Sequence, residues 1–223
     1  MSSMRRSFPG LIAALLLIVG AGCERPEAAA PATPIEEELR RLQVVDRPPV
    51  ESDYRRTAFG PSWADLDRDG CNTRDEVLEA TVDKSRPYRT RRQGRCRIDM
   101  VAGTWTDLYS GTLLVRTNLK NPSQAQSLPI DHIVSLAGAW RYGASGWTRE
   151  QRMRFANDPL NLTPTTADLN REKSDQDPAT WTPPAPGRCG YATRYIKVKA
   201  RYRLPVDRRE KTQLERLLTS CPG

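Results

Sequence analysis

The chain has 223 residues, with 35 Lys plus Arg against 27 Asp plus Glu, a net charge of +8, 38% hydrophobic residues and one histidine. That length fits one domain with its own core plus an N-terminal segment, and the positive balance suits a polyanionic partner without identifying one. One histidine and five scattered cysteines exclude a zinc cluster built from several thiol and imidazole ligands, so any metal here would be a hard, oxygen-liganded cation.

Met1-Ser-Ser-Met-Arg5-Arg6 is a positive leader, and Leu11 to Val19 is an apolar run ending in Gly20-Ala21-Gly22-Cys23. The run is too short to span a bilayer, so residues 1–22 read as an export signal. Small residues before a cysteine resemble a lipobox, which would make Cys23 the lipidated mature N-terminus. Gly20 stands where Leu or Val is usual, and simple secretion is the alternative. Loss of Arg5 and Arg6 with the signal lowers the charge from +8 by two, to +6. Residues 23–49, rich in Pro and Ala from Pro26 to Pro34, read as a tether with a short amphipathic helix through Ile35 to Leu42. Residues 50–223 read as the folded domain.

Asp65-Leu-Asp67-Arg-Asp69-Gly70 followed by Glu76 fits the EF-hand loop, with oxygen ligands at positions one, three, five and twelve and glycine at six. Asp65, Asp67, Asp69 and Glu76 are therefore candidate ligands of a structural Ca²⁺. Gly60-Pro61 would break an entering helix, and the competing reading is an acidic turn that caps a helix starting near Thr73 and carrying Val77 and Leu78. Arg86 to Arg97 holds six arginines. Val101 to Val115 alternates around Tyr109-Ser110-Gly111 and reads as a β-hairpin.

Leu128 to Val134 is a strand-like apolar run bearing Asp131 and His132. Trp147-Thr148-Arg-Glu-Gln151 has the form of a capping box opening a helix to about Asn157. Asn161 to Thr165 is a second short strand, and Thr165 or Thr166 caps a helix running to about Asp175, on which Asn170 and Lys173 share a face. Two C-terminal helices, Tyr191 to Tyr202 and Asp207 to Leu218, are separated by Pro205, and the span Arg194 to Arg209 is again basic. With Cys23 lipidated, Cys71, Cys96, Cys189 and Cys221 remain as an even set in an oxidising compartment. They allow three pairings; Cys71 with Cys96 and Cys189 with Cys221 is preferred because each closes a local segment.

The ordered set Asp131-His132-Ile-Val, Asn161-Leu-Thr and Asn170-Arg-Glu-Lys173 resembles the HNH (His-Me finger, ββα-metal) endonucleases. The wider stretch from about residue 50 to 221 resembles secreted or lipoprotein members of bacteria. It includes Phe59-Gly-Pro-Ser-Trp63, Cys71-Asn-Thr-Arg74, Phe155 to Leu162, Asp177 to Trp181 and Cys189-Gly-Tyr191. The resemblance implies an α+β fold, with a ββα-metal finger embedded in a single small domain that adds a β-hairpin and C-terminal helices. It also implies that His132 is the general base, that Asp131 and Asn170 hold one Mg²⁺ or Mn²⁺, and that Asn161 ties down the histidine-bearing loop while Lys173 contacts a phosphate. Relatives commonly carry proline where Ser135 stands, which leaves the stiffness of that turn to be supplied some other way.

The expected activity is thus metal-dependent endonucleolytic hydrolysis of DNA, with RNA as a further substrate. The protein is expected to act as a monomer with little sequence specificity, since no groove-reading motif is present. The expected location is exported, as a lipid-anchored protein of the bacterial envelope or as a secreted one. The alternative is a surface protein of the same fold that binds DNA or calcium without cutting.

Overall fold

Thr33 opens the part of the molecule described by the computed structural model, which covers residues 33–47 and 53–221. Its side chain forms a capping box with Glu36 at the head of α1 (Pro34–Arg41), leading to β1 (Val44–Val45). These residues were expected in a tether with a short amphipathic helix through Ile35 to Leu42, and the helix forms. It is part of the fold: Leu39 and Leu42 are buried in the main core, and β1 pairs in parallel with a strand near the C-terminus, Val44 opposite Val206. Spaced leucines on a capped helix supply apolar area that folding removes from water, and this outweighs the Pro/Ala character preceding it. The export signal and Cys23 lie outside the described residues.

A 3₁₀ turn, Arg56–Phe59, precedes the acidic loop. Asn72, rather than an aspartate of that loop, caps α2 (Thr73–Thr81), accepting a hydrogen bond from the Asp75 amide. A three-stranded antiparallel sheet follows, from β2 (Arg89–Gln93), β3 (Cys96–Thr106) and β4 (Leu113–Arg116), with β3 central. The expected hairpin is β3–β4. The arginine-rich run, read as a charge cluster, is also an edge strand whose charges face solvent. Trp105 on β3 is fully buried against α2 and donates its indole N–H to the Leu78 carbonyl at 2.8 Å, so α2 and the sheet share the smaller core.

Beyond α3 (Pro122–Gln126) come β5 (Ile130–His132), α4 (Leu136–Arg141), α5 (Arg149–Ala156), β6 (Leu162–Pro164) and α6 (Ala167–Lys173). The chain ends with α7 (Arg188–Arg201), β7 (Val206–Asp207) and α8 (Arg208–Leu218). The Thr148 and Asp207 capping boxes are formed. The fold is α+β, with the main core enclosed by α1, α4, α5, α7 and α8.

Two disulfides fasten its ends. Cys71–Cys96 joins the entrance of α2 to β3, with Cα atoms 4.5 Å apart, and Cys189–Cys221 joins the start of α7 to the residues after α8, at 5.1 Å.

Candidate active site

The strands β5 and β6 are antiparallel, with Asp131 opposite Thr163 and His132 opposite Leu162. Thr166 accepts from the Leu169 amide and so starts α6 immediately after β6. This short strand–strand–helix turn brings Asp131, His132 and Asn170 to the lining of one cleft of about 500 Å³, shared with Tyr54, Arg56 and Ser135. Both strands are three residues long, shorter than the apolar runs suggested. Asn161 sits in a 3₁₀ turn just before β6 rather than in the strand.

His132 is buried, and its Nε2 lies 2.8 Å from the Ala156 carbonyl. A carbonyl only accepts, so Nε2 carries the proton and Nδ1 is left with its lone pair. Burial pushes the imidazole down to about 4; the Ala156 and Asp131 oxygens act the other way, while Arg56 and Lys173 add to the depression. The ring is therefore neutral near pH 7. Trp63 lies nearly parallel to it, with 7° between the planes and 6.4 Å between centroids.

Lys173 was expected at a phosphate, as an exposed helical lysine. The structure buries it completely: Nζ donates to the His132 carbonyl at 2.8 Å and lies 2.9 Å from Asp131 Oδ2. It ties the Asp131 carboxylate to the His132 carbonyl, because an ammonium withdrawn from water must be paired. Tyr109 donates its hydroxyl to the same Oδ2 at 2.7 Å. Burial, reinforced by Asp131, holds that phenol well above its ordinary range. Both contacts fall on Oδ2, and Oδ1 has no intramolecular partner among the described residues.

Asn161 is fully buried and grips Val134 from both sides. Its Oδ1 accepts from the Val134 amide at 2.8 Å, its Nδ2 donates to the Val134 carbonyl at 3.1 Å, and its own carbonyl accepts from Ile133 at 2.8 Å. The loop leaving His132 is thereby fixed. Ser135 supplies the remaining stiffness: its Oγ accepts from the Gly138 amide, capping α4, and donates to the Asp175 carbonyl.

Four further residues shape the site, and sequence reasoning did not assign them. Arg56 lines the cleft beside His132, and Trp63 covers the ring; Trp63 ends the Phe59–Trp63 stretch of the family resemblance, and Arg56 falls in none of its motifs. Tyr109 and Asp107 lie in a segment that reads as a hairpin turn. Asp107 accepts from Thr165 Oγ and the Thr166 amide at 3.0 and 3.1 Å, tying the turn to the β6–α6 junction. Gly187 lets the start of α7 meet this turn, since a Cβ there would lie 2.0 Å from the Tyr109 carbonyl oxygen.

Three members of the C-terminal basic run are committed to partners within the fold. Arg194 donates to the carbonyls of Pro159, Leu160 and Leu162, Lys199 pairs with Glu210 at 3.0 Å with both side chains fully buried, and Arg201 pairs with Asp158. In the acidic loop, Asp65, Asp67 and Asp69 bring carboxylate oxygens within 4.8 Å of one another, and Glu76 is outside that group. Amides of Asp69, Gly70 and Cys71 donate to these aspartates, so the turn satisfies much of its own charge. Asp65 Oδ1 is buried without a partner. Burial raises the Glu76 carboxyl, helped by Asp67, Asp69 and Asp65.

Residues 72–217 match the family described as GmrSD restriction endonucleases, C-terminal domain. An uncharacterized secreted protein of Arthroderma benhamiae is 32% identical over 222 residues, covering 98% of this chain and all of that protein. No solved structure matches.

Proposed function

Because the chain belongs to the family of GmrSD restriction endonuclease C-terminal domains, we propose that it is an exported endonuclease of the HNH, ββα-metal type. It hydrolyses DNA phosphodiesters, and RNA as a further substrate, with little sequence specificity. The observation that carries this reading is the neutral His132, with Nδ1 open as an acceptor, in one cleft with Asp131 and Asn170.

Asp131 and Asn170 offer oxygen donors, the donor type that Mg²⁺ or Mn²⁺ prefers, and Asp131 keeps Oδ1 uncommitted. When bound there, the metal would polarise the phosphodiester and stabilise the leaving 3′ oxygen. His132 Nδ1 takes the proton of the attacking water as its oxygen bonds to phosphorus, the bond to the 3′ oxygen breaks, and that oxygen takes a proton from solvent, leaving 5′-phosphate and 3′-hydroxyl ends. A base depressed to about 4 gains strength as the substrate's negative phosphate arrives, because a nearby anion favours imidazolium. Arg56 contributes a cation on the same wall. Lys173, Tyr109 and Asn161 keep Asp131 and the His132 loop in position.

Export is supported by the two disulfides and by the secreted relative. Removal of residues 1–22 and lipidation of Cys23 belong to the same reading.

The test is nicking of supercoiled plasmid by the oxidised protein in Mg²⁺ or in EDTA, beside His132→Ala. Magnesium-dependent nicking that disappears in the variant is expected. Binding without cleavage in either Mg²⁺ or Mn²⁺ would overturn the reading in favour of a non-catalytic DNA-binding protein.

A further inference from the structure

The arginines of this protein are mostly committed. Arg47, Arg86, Arg91, Arg141, Arg154, Arg171 and Arg201 pair with carboxylates, while Arg74, Arg116, Arg152 and Arg194 donate to carbonyls. Helix α8 is one of the places that depart from this pattern, and it groups three such arginines. Arg208, Arg209 and Arg216 are exposed, have no carboxylate partner among the described residues, and line one groove of about 320 Å³ with Thr212, Gln213 and Ala179.

Arg208 and Arg209 occupy the first turn of α8. Cations there meet the positive end of the helix dipole and cost about 0.3–1 kcal/mol each. Their mutual repulsion and their repulsion of Arg216 add to that cost. The carboxylates at that end, Asp207 and Glu210, are engaged in the capping box and with Tyr142, Tyr195 and Lys199, so neither pairs with Arg208 or Arg209.

The groove lies one concavity away from the candidate active site. Its wall residue Ala179 is next to Thr180, which lines a second concavity together with Arg47, Arg141 and Asp175. Asp175 also lines the cleft of Asp131 and His132. Three depressions therefore follow one another across the loop 175–180. That loop is fixed by Asp177, which accepts from the amides of Ala179 and Thr180 and pairs with Arg47.

We infer that the α8 groove is a second nucleic-acid subsite, in which Arg208, Arg209 and Arg216 hold backbone phosphates of the strand that extends away from the cleaved bond. This rests on the nuclease reading for its purpose, though its binding chemistry does not require cleavage. Three phosphates neutralised by guanidinium groups release their counterions, so the subsite should appear as salt dependence.

The experiment compares the full chain with Arg208→Gln/Arg209→Gln/Arg216→Gln and with the corresponding triple Arg→Lys variant. All three positions are exposed, so folding should survive. For His132→Ala protein binding a duplex several helical turns long, the slope of log affinity against log salt should fall by about 2–3 in the Gln variant. The Lys variant should keep most of it. With cleavage-competent protein, KM for plasmid should rise at least tenfold, while hydrolysis of a small chromogenic phosphodiester that fills only the cleft stays unchanged.

An unchanged salt slope and plasmid KM in the Gln variant would overturn the inference. So would loss of binding to anionic phospholipid vesicles with duplex binding intact, which would assign the groove to a lipid surface. If no protein cleaves but the arginine-dependent duplex binding persists, the nuclease reading fails and the subsite stands.

Discussion

Lys173 and Asp131 form an ion pair of 2.9 Å, the ammonium fully buried, and the same Nζ donates to the carbonyl of His132. Removing one partner of a buried pair strands the other charge, at about 3–5 kcal/mol. Lys173→Met is therefore expected to lower unfolding stability by that amount and to abolish activity through the misplaced Asp131. Urea unfolding decides the matter. A variant as stable as the parent that merely binds DNA more weakly would return Lys173 to phosphate contact.

Asn161 acts on the other side of His132. Its amide makes two bonds to Val134, and truncation leaves that buried N–H and C=O without partners. At about 1–3 kcal/mol for each of the two stranded groups, Asn161→Ala should cost roughly 2–6 kcal/mol. Plasmid nicking measured well below the melting temperature of the variant should still fall sharply, since the loop bearing His132, the proposed general base, is no longer held. Full activity in the folded variant would limit Asn161 to stability.

Tyr109→Phe isolates one hydroxyl. The ring's edge contacts with Trp181 and Tyr191 survive, and only the bond to Asp131 Oδ2 is lost. The expected cost is about 1–2 kcal/mol, with a lower kcat, since Asp131 keeps Lys173 but loses its second restraint. An unchanged kcat would mean that Lys173 alone positions the carboxylate.

Local rules made much of this readable. Thr148 is a helix cap in the sequence and in the structure, and of the two threonines read as a cap before α6 the structure uses Thr166, because a cap is decided by residues three positions apart. The Asp131-His132, Asn161 and Asn170 positions were legible from order and spacing. Burial was not. Lys173 looks solvated on a helical pattern and is enclosed, because the partner that makes its burial tolerable lies across the chain on β5. Tyr109 and Asp107 read as a turn, since what they grip, Asp131 and the β6–α6 junction, is brought to them only by the folded topology. Helix α1 was set apart with a Pro/Ala stretch, because its partners α7 and α8 lie far along the chain.

The Cys71–Cys96 bridge ties the acidic loop and the start of α2 to the sheet across a separation of 25 residues. Replacing both cysteines by serine should lower stability by about 2–4 kcal/mol. The reduced parent protein should show that loss plus a contribution from Cys189–Cys221. Melting curves with and without reductant measure it, and identical curves would remove the bridges from the account of stability.

Asp99 provides a pH test away from the candidate site. It is buried on β3, accepts from Arg91 Nε at 2.6 Å and from Lys120 Nζ, and although burial pushes its carboxyl up, these two cations prevail and hold it below the ordinary range. A carboxyl depressed on folding contributes stability at pH values above its unfolded value near 4, and that contribution is lost as pH falls through the folded value. Asp99→Asn should thus be about 1–3 kcal/mol less stable at pH 7, with the gap narrowing as the pH drops below about 4. Asp75 trims the gap, because burial and then the charge of Asp99 raise its carboxyl and the substitution relieves the second effect. Urea unfolding of both proteins across that range tests the sign. A gap that stays constant, or widens in acid, would mean that the Arg91 and Lys120 contacts do not favour the ionised carboxylate.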